Sequence, residues 1–176
     1  MLNDANFTVL HSGNIPEVQG NGMIGENPLN FRFGSDTNGN GKLDLEAENA
    51  GGVFGFLDLT EAISGGRLEL ISNFQGDNLS VHDSEIRLSN FTLKEAPLLV
   101  DVFSLISPTG LLEQLVGDGV FYDEGYGKVS VSGNRYTIHE ASAVGFSSGI
   151  VFSGWIDLDK NELDIKGSVA PAYILS

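Results

Sequence analysis

The side chains with the clearest capacity for chemistry are the oxygen donors between residues 36 and 44. This stretch carries carboxylate or amide oxygens at loop positions 1, 3, 5 and 9, with glycine at position 6 and an aliphatic residue at position 8. Such spacing is typical of an EF-hand-type calcium loop. Position 12, where a bidentate glutamate normally closes the site, is Ala47, flanked by Glu46 and Glu48. The alternative interpretation is an Asx/Gly surface turn. The candidate calcium ligands are Asp36, Asn38, Asn40 and Asp44.

Two glycine motifs and three histidines are the remaining candidates for catalysis or cofactor binding. Gly20–Gly25 matches GxGxxG, but no strand pattern precedes it and no helix start follows it. Gly145–Gly149 matches GxSxG, but β-like sequence on both sides favours a hairpin turn over a nucleophile elbow. His11, His82 and His139 are far apart in sequence. The sequence therefore predicts a non-enzymatic protein that requires no cofactor, with calcium as its candidate ion.

The composition disfavours several classes of function. The chain has 176 residues, of which 9 are basic and 24 acidic, so its formal net charge is −15. This charge argues against nucleic acid as a partner and against electrostatic docking on anionic lipid surfaces. The absence of cysteine excludes disulfides and thiolate metal sites. The first residues lack a signal-peptide pattern, and no run of about 18 apolar residues is long enough to span a membrane.

Alternating apolar and polar residues predict a mainly β protein, and the short turns between the runs predict an antiparallel meander. Residues 1–28 are predicted as one strand followed by loop, and Ser35–Asn49 as a polar loop. A short helix is predicted over Val53–Ile63, ending at Gly65-Gly66. A change of phase near Ser89-Asn90 indicates a β-bulge. The predicted strands are Phe7–His11, Leu29–Gly34, Arg67–Phe74, Leu79–Leu93, Lys128–Ser132, Tyr136–Val144, Ile150–Leu158 and Leu163–Val169.

The stretch Glu95–Val120 is predicted to form a short apolar helix pair. Pro97 and Pro108 stand where a first helical turn begins, and Gly117 stands where a helix ends. The apolar residues cover more than one stripe, so the pair must be buried on a sheet, a partner or a lipid. The candidates for capping or gating one end of the sheet are Phe103, Leu111 and Leu115.

A series of short segments over the last 127 or so residues stands in a distinctive order. They are Ala50–Val53, Gly65–Leu68, Glu95–Leu98, Ser107–Leu112, Gly117–Phe121, Ala141–Gly145 with Gly149, Gly154–Leu158, Leu163–Gly167 and Pro171–Tyr173. In this order the sequence resembles the AsmA-like superfamily, most closely the C-terminal region of its YhdP-type members. The resemblance implies a bent, elongated sheet or groove with an apolar concave face. It also implies a protein anchored in the inner membrane of Gram-negative bacteria that crosses the periplasm and helps to move phospholipid towards the outer membrane.

The predicted organisation follows from this resemblance. Residues 1–49 form a poorly matched strand and loop region with the calcium-like loop, and residues 50–176 an AsmA-like β-domain. The lack of an anchor and the early end at Ser176 predict a fragment of a longer protein, inner-membrane-anchored and periplasmic at full length. Its predicted partners are phospholipid acyl chains and the remainder of the chain or other envelope proteins, with no nucleic acid.

The predicted function is phospholipid transport between the inner and outer membranes, or envelope maintenance, through an apolar β-groove. Two alternatives stay open for the same residues. One is an ordinary β-sandwich core, and the other is a calcium-stabilised extracellular β-domain that acts as a structural or adhesion module. The groove candidates are Leu68, Leu70, Ile86, Leu88, Val129, Val131, Ile138, Ile156 and Ile165.

Overall fold

The computed structural model describes residues 2–10, 15–75, 78–94, 118–146 and 148–171. These residues form one antiparallel sheet of ten strands and one short helix, which confirms the predicted mainly β fold. The helix α1 spans Ala50–Phe56. The strands are β1 Leu2–Leu10, β2 Glu17–Ile24, β3 Asn27–Ser35, β4 Gly41–Ala47, β5 Ile63–Gln75, β6 Asn78–Leu93, β7 Val120–Ser132, β8 Arg135–Val144, β9 Ser148–Asp157 and β10 Glu162–Pro171.

Each strand pairs only with the strands next to it in sequence, so the sheet runs from β1 to β10 without a crossover. Tight turns make this order possible. Gly25 and Gly133 have φ angles of +65° and +60° in the β2–β3 and β7–β8 turns, and Asn161 has +52° in the β9–β10 turn. Glycine and asparagine adopt this left-handed region more readily than other residues. The predicted antiparallel meander is therefore confirmed.

Alternation along the strands gives the sheet two different sides, because successive side chains point in opposite directions. On one side, Leu45 of β4 pairs with Leu70 of β5, which in turn pairs with Ile86 of β6. On the other side, Glu46 of β4 pairs with Glu69 of β5. We call the side that carries Leu70 the apolar face and the side that carries Glu69 the polar face.

The helix α1 covers one end of the apolar face. The side chain of Asn49 caps it by accepting a hydrogen bond from the backbone N–H of Gly52 at 2.9 Å. Glycine lets the helix approach the sheet closely, since a Cβ on Gly51 would collide with the carbonyl oxygen of Ile63. The buried cluster beneath the helix comprises Ile24, Leu29, Ala47, Ala50, Val53 and Leu68.

A second buried cluster lies beside the first, around the stacked rings of Phe91 and Tyr122, whose centroids are 5.7 Å apart. It forms because β6 changes phase at Asn90, which has a φ of +54°, so that Leu88 and Phe91 both pack on the apolar face. The pairing of β6 with its neighbours keeps the same register on both sides of Asn90. The predicted change of phase is confirmed, but the predicted bulge is wrong, because a left-handed residue rather than an inserted one produces the change.

Strand β2 lies where the sequence predicted loop. Its positions on the apolar face include Gly20 and Gly22, which pair with Phe31 and Leu29 of β3. The ring of Phe31 fills the space at Gly20, where a Cβ would lie 2.7 Å from the Phe31 Cε1. The prediction was wrong because glycines stand where an alternating pattern would show apolar side chains.

Strand β4 runs through the acidic stretch predicted as the loop Ser35–Asn49. Leu43 and Leu45 lie on the apolar face, and the charged residues that alternate with them, Lys42, Asp44 and Glu46, lie on the polar face. The high charge of the stretch concealed a period of two, so that prediction was also wrong. Because β4 pairs with β5, the sheet continues from the residues before position 50 to those after it.

The helix predicted over Val53–Ile63 starts and ends earlier in the structure. Helix α1 ends at Phe56, and Ile63 already begins β5. Gly65 and Gly66, predicted to end the helix, lie inside β5 with φ angles of +65° and +79°. Glycine is needed here for close packing within the sheet, since a Cβ on Gly66 would lie 2.6 Å from the Cβ of Phe91.

The predicted helix pair lies almost wholly outside the described residues, and its candidates Phe103, Leu111 and Leu115 all lie outside them. Within the part of the chain that the structure describes, no helix has the length and hydropathy of a membrane-crossing segment.

Candidate functional site

All nine predicted groove residues lie on the apolar face. Between β5 and β6, Leu68 pairs with Leu88 and Leu70 pairs with Ile86. The register of β7–β10 places five more of the nine residues on the same side of the sheet. They are Val129, Val131, Ile138, Ile156 and Ile165. The structure therefore confirms that the residues chosen from the alternating apolar pattern lie together on one side of β5–β10.

The burial of these nine residues distinguishes between two architectures. Leu68 is fully buried in the cluster beneath α1, and the other eight are half-buried. The described residues form a single sheet, so none of them belongs to a second sheet stacked on the apolar face. The β-sandwich alternative is therefore wrong for this part of the chain.

The residues of the calcium-like loop fall in two places. Asp36, Asn38 and Asn40 lie in the β3–β4 turn, where Oδ1 of Asp36 accepts hydrogen bonds from the backbone N–H groups of Asn38 and Asn40, each at 2.8 Å. Asp44 lies within β4, where its Oδ1 is 2.9 Å from Nζ of Lys42. In the described residues, no group of three or more His, Cys, Asp or Glu side chains is arranged to hold a metal ion. The turn has the hydrogen bonds of an Asx turn.

The same hydrogen bonds set the charge state of Asp36. Its pKa is lowered from the ordinary value of 3.8, chiefly by the backbone N–H of Asn40. Desolvation opposes this shift, and hydrogen bonds from Asn38, the Asn40 side chain and Gly39 reinforce it. The carboxylate is therefore ionised at neutral pH, as a calcium ligand must be.

A strand, and not a helix, follows each of the two glycine motifs, whereas a dinucleotide loop or a nucleophile elbow leads into a helix. Gly20–Gly25 lies in β2 and the turn that follows it, so no helix begins there to receive a phosphate. Gly145 follows β8 and Gly149 lies in β9, where it pairs with Val144, and the N–H of Gly145 donates to the carbonyl of Ser148 at 3.0 Å. The predicted hairpin turn is therefore confirmed.

Asp83, Ser130 and His139 form a cluster on the polar face that sequence analysis missed. Oγ of Ser130 donates a hydrogen bond to Asp83 Oδ1 and lies 2.6 Å from Nε2 of His139. In a hydrolase triad the histidine stands between the acid and the serine. Here the serine stands between the other two, so its proton points to the carboxylate and not to the imidazole. Only the register of β6, β7 and β8 brings these residues together.

A cavity of about 760 Å³ on the polar face, across β1–β4, was also missed. Carboxamide and charged side chains line most of it, among them Gln19, Asn21 and Arg32. A neighbouring cavity of about 510 Å³ lies against the same face, near Glu17 and Asp36. The resemblance implies a hollow apolar face, whereas these two cavities lie against the polar one.

Comparisons with protein-family models, curated proteins and solved structures give no match to this chain.

Proposed function

We propose that this chain is a non-enzymatic segment of a Gram-negative envelope protein whose apolar face binds the acyl chains of phospholipid. The apolar face carries the proposal, since it gathers half-buried aliphatic side chains from β5 to β10. Each CH₂ group that leaves water for such a surface contributes about 0.8 kcal/mol. A long alkyl chain lying across several strands therefore suits this face better than a compact ligand does.

The net charge of the protein indicates that it binds the acyl chain of the phospholipid and not the headgroup. The formal net charge is −15, so an anionic headgroup is repelled at long range. Affinity must then come from apolar contact. The role that the resemblance implies, transport between the inner and outer membranes or envelope maintenance, is compatible with a protein that carries chains rather than headgroups.

The test compares two substitutions on the same strand. Ile156 lies on the apolar face of β9, and Val151, which pairs with Ser142 and Ser168, lies on the polar face. Ile156→Asp places a charge on the acyl path, where its desolvation is costly. Val151→Asp adds the same charge among serines.

The wild-type protein is expected to bind a fluorescent fatty acid and to carry phospholipid detectable by native mass spectrometry. Ile156→Asp should abolish both signals, as should Ile86→Asp and Ile165→Asp, whereas Val151→Asp should retain them. Circular dichroism checks that each variant is folded. A folded wild-type protein that carries no lipid and binds no fatty acid contradicts the proposal.

A further inference from the structure

The polar face of β1–β4 carries an unusual concentration of carboxamide side chains. Asn6 of β1 pairs with Asn21 of β2, which pairs with Asn30 of β3, and Gln19 lies two residues before Asn21 on the same side of the sheet. All four are exposed and line the 760 Å³ cavity. Asparagine is depleted in strands, so this composition does not serve the stability of the sheet.

These amides are free to bind a ligand. Within the described residues, the side chains of Gln19, Asn21 and Asn30 make no hydrogen bond, and that of Asn6 makes one, to the carbonyl oxygen of Asp4 at 3.3 Å. Each amide offers both donors and an acceptor. A ligand that meets them must present several groups that donate and accept in turn, as the hydroxyls of a sugar do.

The charged groups around the cavity are already paired. Arg32 donates to Glu17 through Nε at 3.1 Å and also through its terminal nitrogen. Asp44 bonds to Lys42 at 2.9 Å, and Glu46 lies 3.7 Å from Arg67. Among the described residues around this cavity, no cationic side chain is thus left over to attract an anion, and the net charge of −15 opposes one.

From the free amides, the paired charges and the open cavity, we propose that the polar face of β1–β4 binds a neutral oligosaccharide. The amides of Asn21 and Asn30 lie at its centre, and the ligand lies across the strands. Most of the side chains that line the site lie on the opposite side of the sheet from the apolar face.

The experiment is titration calorimetry of the whole chain with three neutral probes: cellopentaose, maltopentaose and chitopentaose. At least one is expected to bind, with an affinity that changes little between low and high salt, because no charge is neutralised. The double variant Asn21→Ala/Asn30→Ala should weaken binding by roughly fivefold for each lost hydrogen bond. Asn73→Ala is the matched control, since Asn73 is exposed on the same face and lines neither cavity.

Three results overturn the proposal. The first is no heat with any of the three probes. The second is equal binding by the wild type and the folded double variant, or equal weakening by Asn73→Ala. The third is tighter binding of an acidic oligogalacturonide or of a neutral Asn/Ser-rich peptide than of any neutral sugar, which would assign the cavity to an anion or to a protein partner.

Discussion

The hydroxyl oxygens of Ser72 and Ser84 lie 2.7 Å apart on the apolar face, and both residues are buried. The two serines are paired directly across β5 and β6. Ser72 lies two residues after Leu70, and Ser84 lies two residues before Ile86. Each hydroxyl satisfies the other, which is what makes their burial tolerable. The two side chains should therefore behave as one unit.

Removing one serine should cost more than removing both. Ser72→Ala leaves the Ser84 hydroxyl buried without its partner, so we expect the free energy of unfolding to fall by about 1–3 kcal/mol. Adding Ser84→Ala should recover part of this loss, because no unsatisfied group then remains. Urea unfolding of the wild type, both single variants and the double variant measures the coupling. Two losses that simply add would show that the hydroxyls act independently.

Gly66 should be among the glycines least tolerant of substitution. Gly66→Ala places a Cβ in a left-handed conformation and within 2.6 Å of the Phe91 Cβ, so we expect a loss of at least about 2 kcal/mol. Gly55→Ala is the matched control, because a Cβ there meets nothing within 4 Å. In α1 it should raise stability by about 0.5–1 kcal/mol. A Gly66→Ala protein as stable as the wild type in urea would show that the strand relaxes around the new methyl group.

Calcium binding at Asp36, Asn38, Asn40 and Asp44 should be weak, with a dissociation constant on the order of 10⁻⁴–10⁻³ M. Millimolar calcium should then raise the melting temperature of the wild type and not that of Asp36→Ala. Lys42→Met should tighten binding, since it frees Asp44 from its ion pair. Asp123→Ala, which changes an acidic residue outside the loop, is the control. An unchanged melting temperature and no heat of calcium binding in the wild type would leave the Asx turn as the whole role of this loop.

The segment between β6 and β7 should be removable without loss of the sheet. Leu93 and Val120 are paired directly at the ends of these strands, so a short linker between them can close a simple hairpin. Deleting Pro97–Val116 and bridging with a Gly/Ser linker should leave β-structure intact by circular dichroism. Uptake of the fluorescent fatty acid should change if the segment caps or gates the apolar face. Loss of β-structure would instead place the segment in the core.

Much of the sheet could be predicted because its later strands show apolar residues at every second position. The same period selected Ile138, Ile156 and Ile165 for one face, and the register confirms that placement. β2 was not predictable in this way, because Gly20 and Gly22 take positions where the partner strand supplies the side chain. Strand pairing, and not the composition of β2, makes it a strand.

The polar clusters could not be predicted from the sequence for a different reason. Asp83 and Ser130 are 47 residues apart, and nothing near either one in the sequence indicates the other. Asn6, Asn21 and Asn30 likewise become neighbours only once three strands are aligned. A period of two shows which side of a strand a residue occupies, but not what lies beside it on the next strand.

The neighbour-to-neighbour order of the sheet also bears on how the chain folds. In the described part of the chain, each hydrogen-bonded strand pair joins strands that are consecutive in sequence, and loop closure costs little when the connection is short. The longest connection is the one between Leu93 and Val120. We therefore expect β1–β6 and β7–β10 to nucleate as separate units, with closure of that connection as the slow step that joins them.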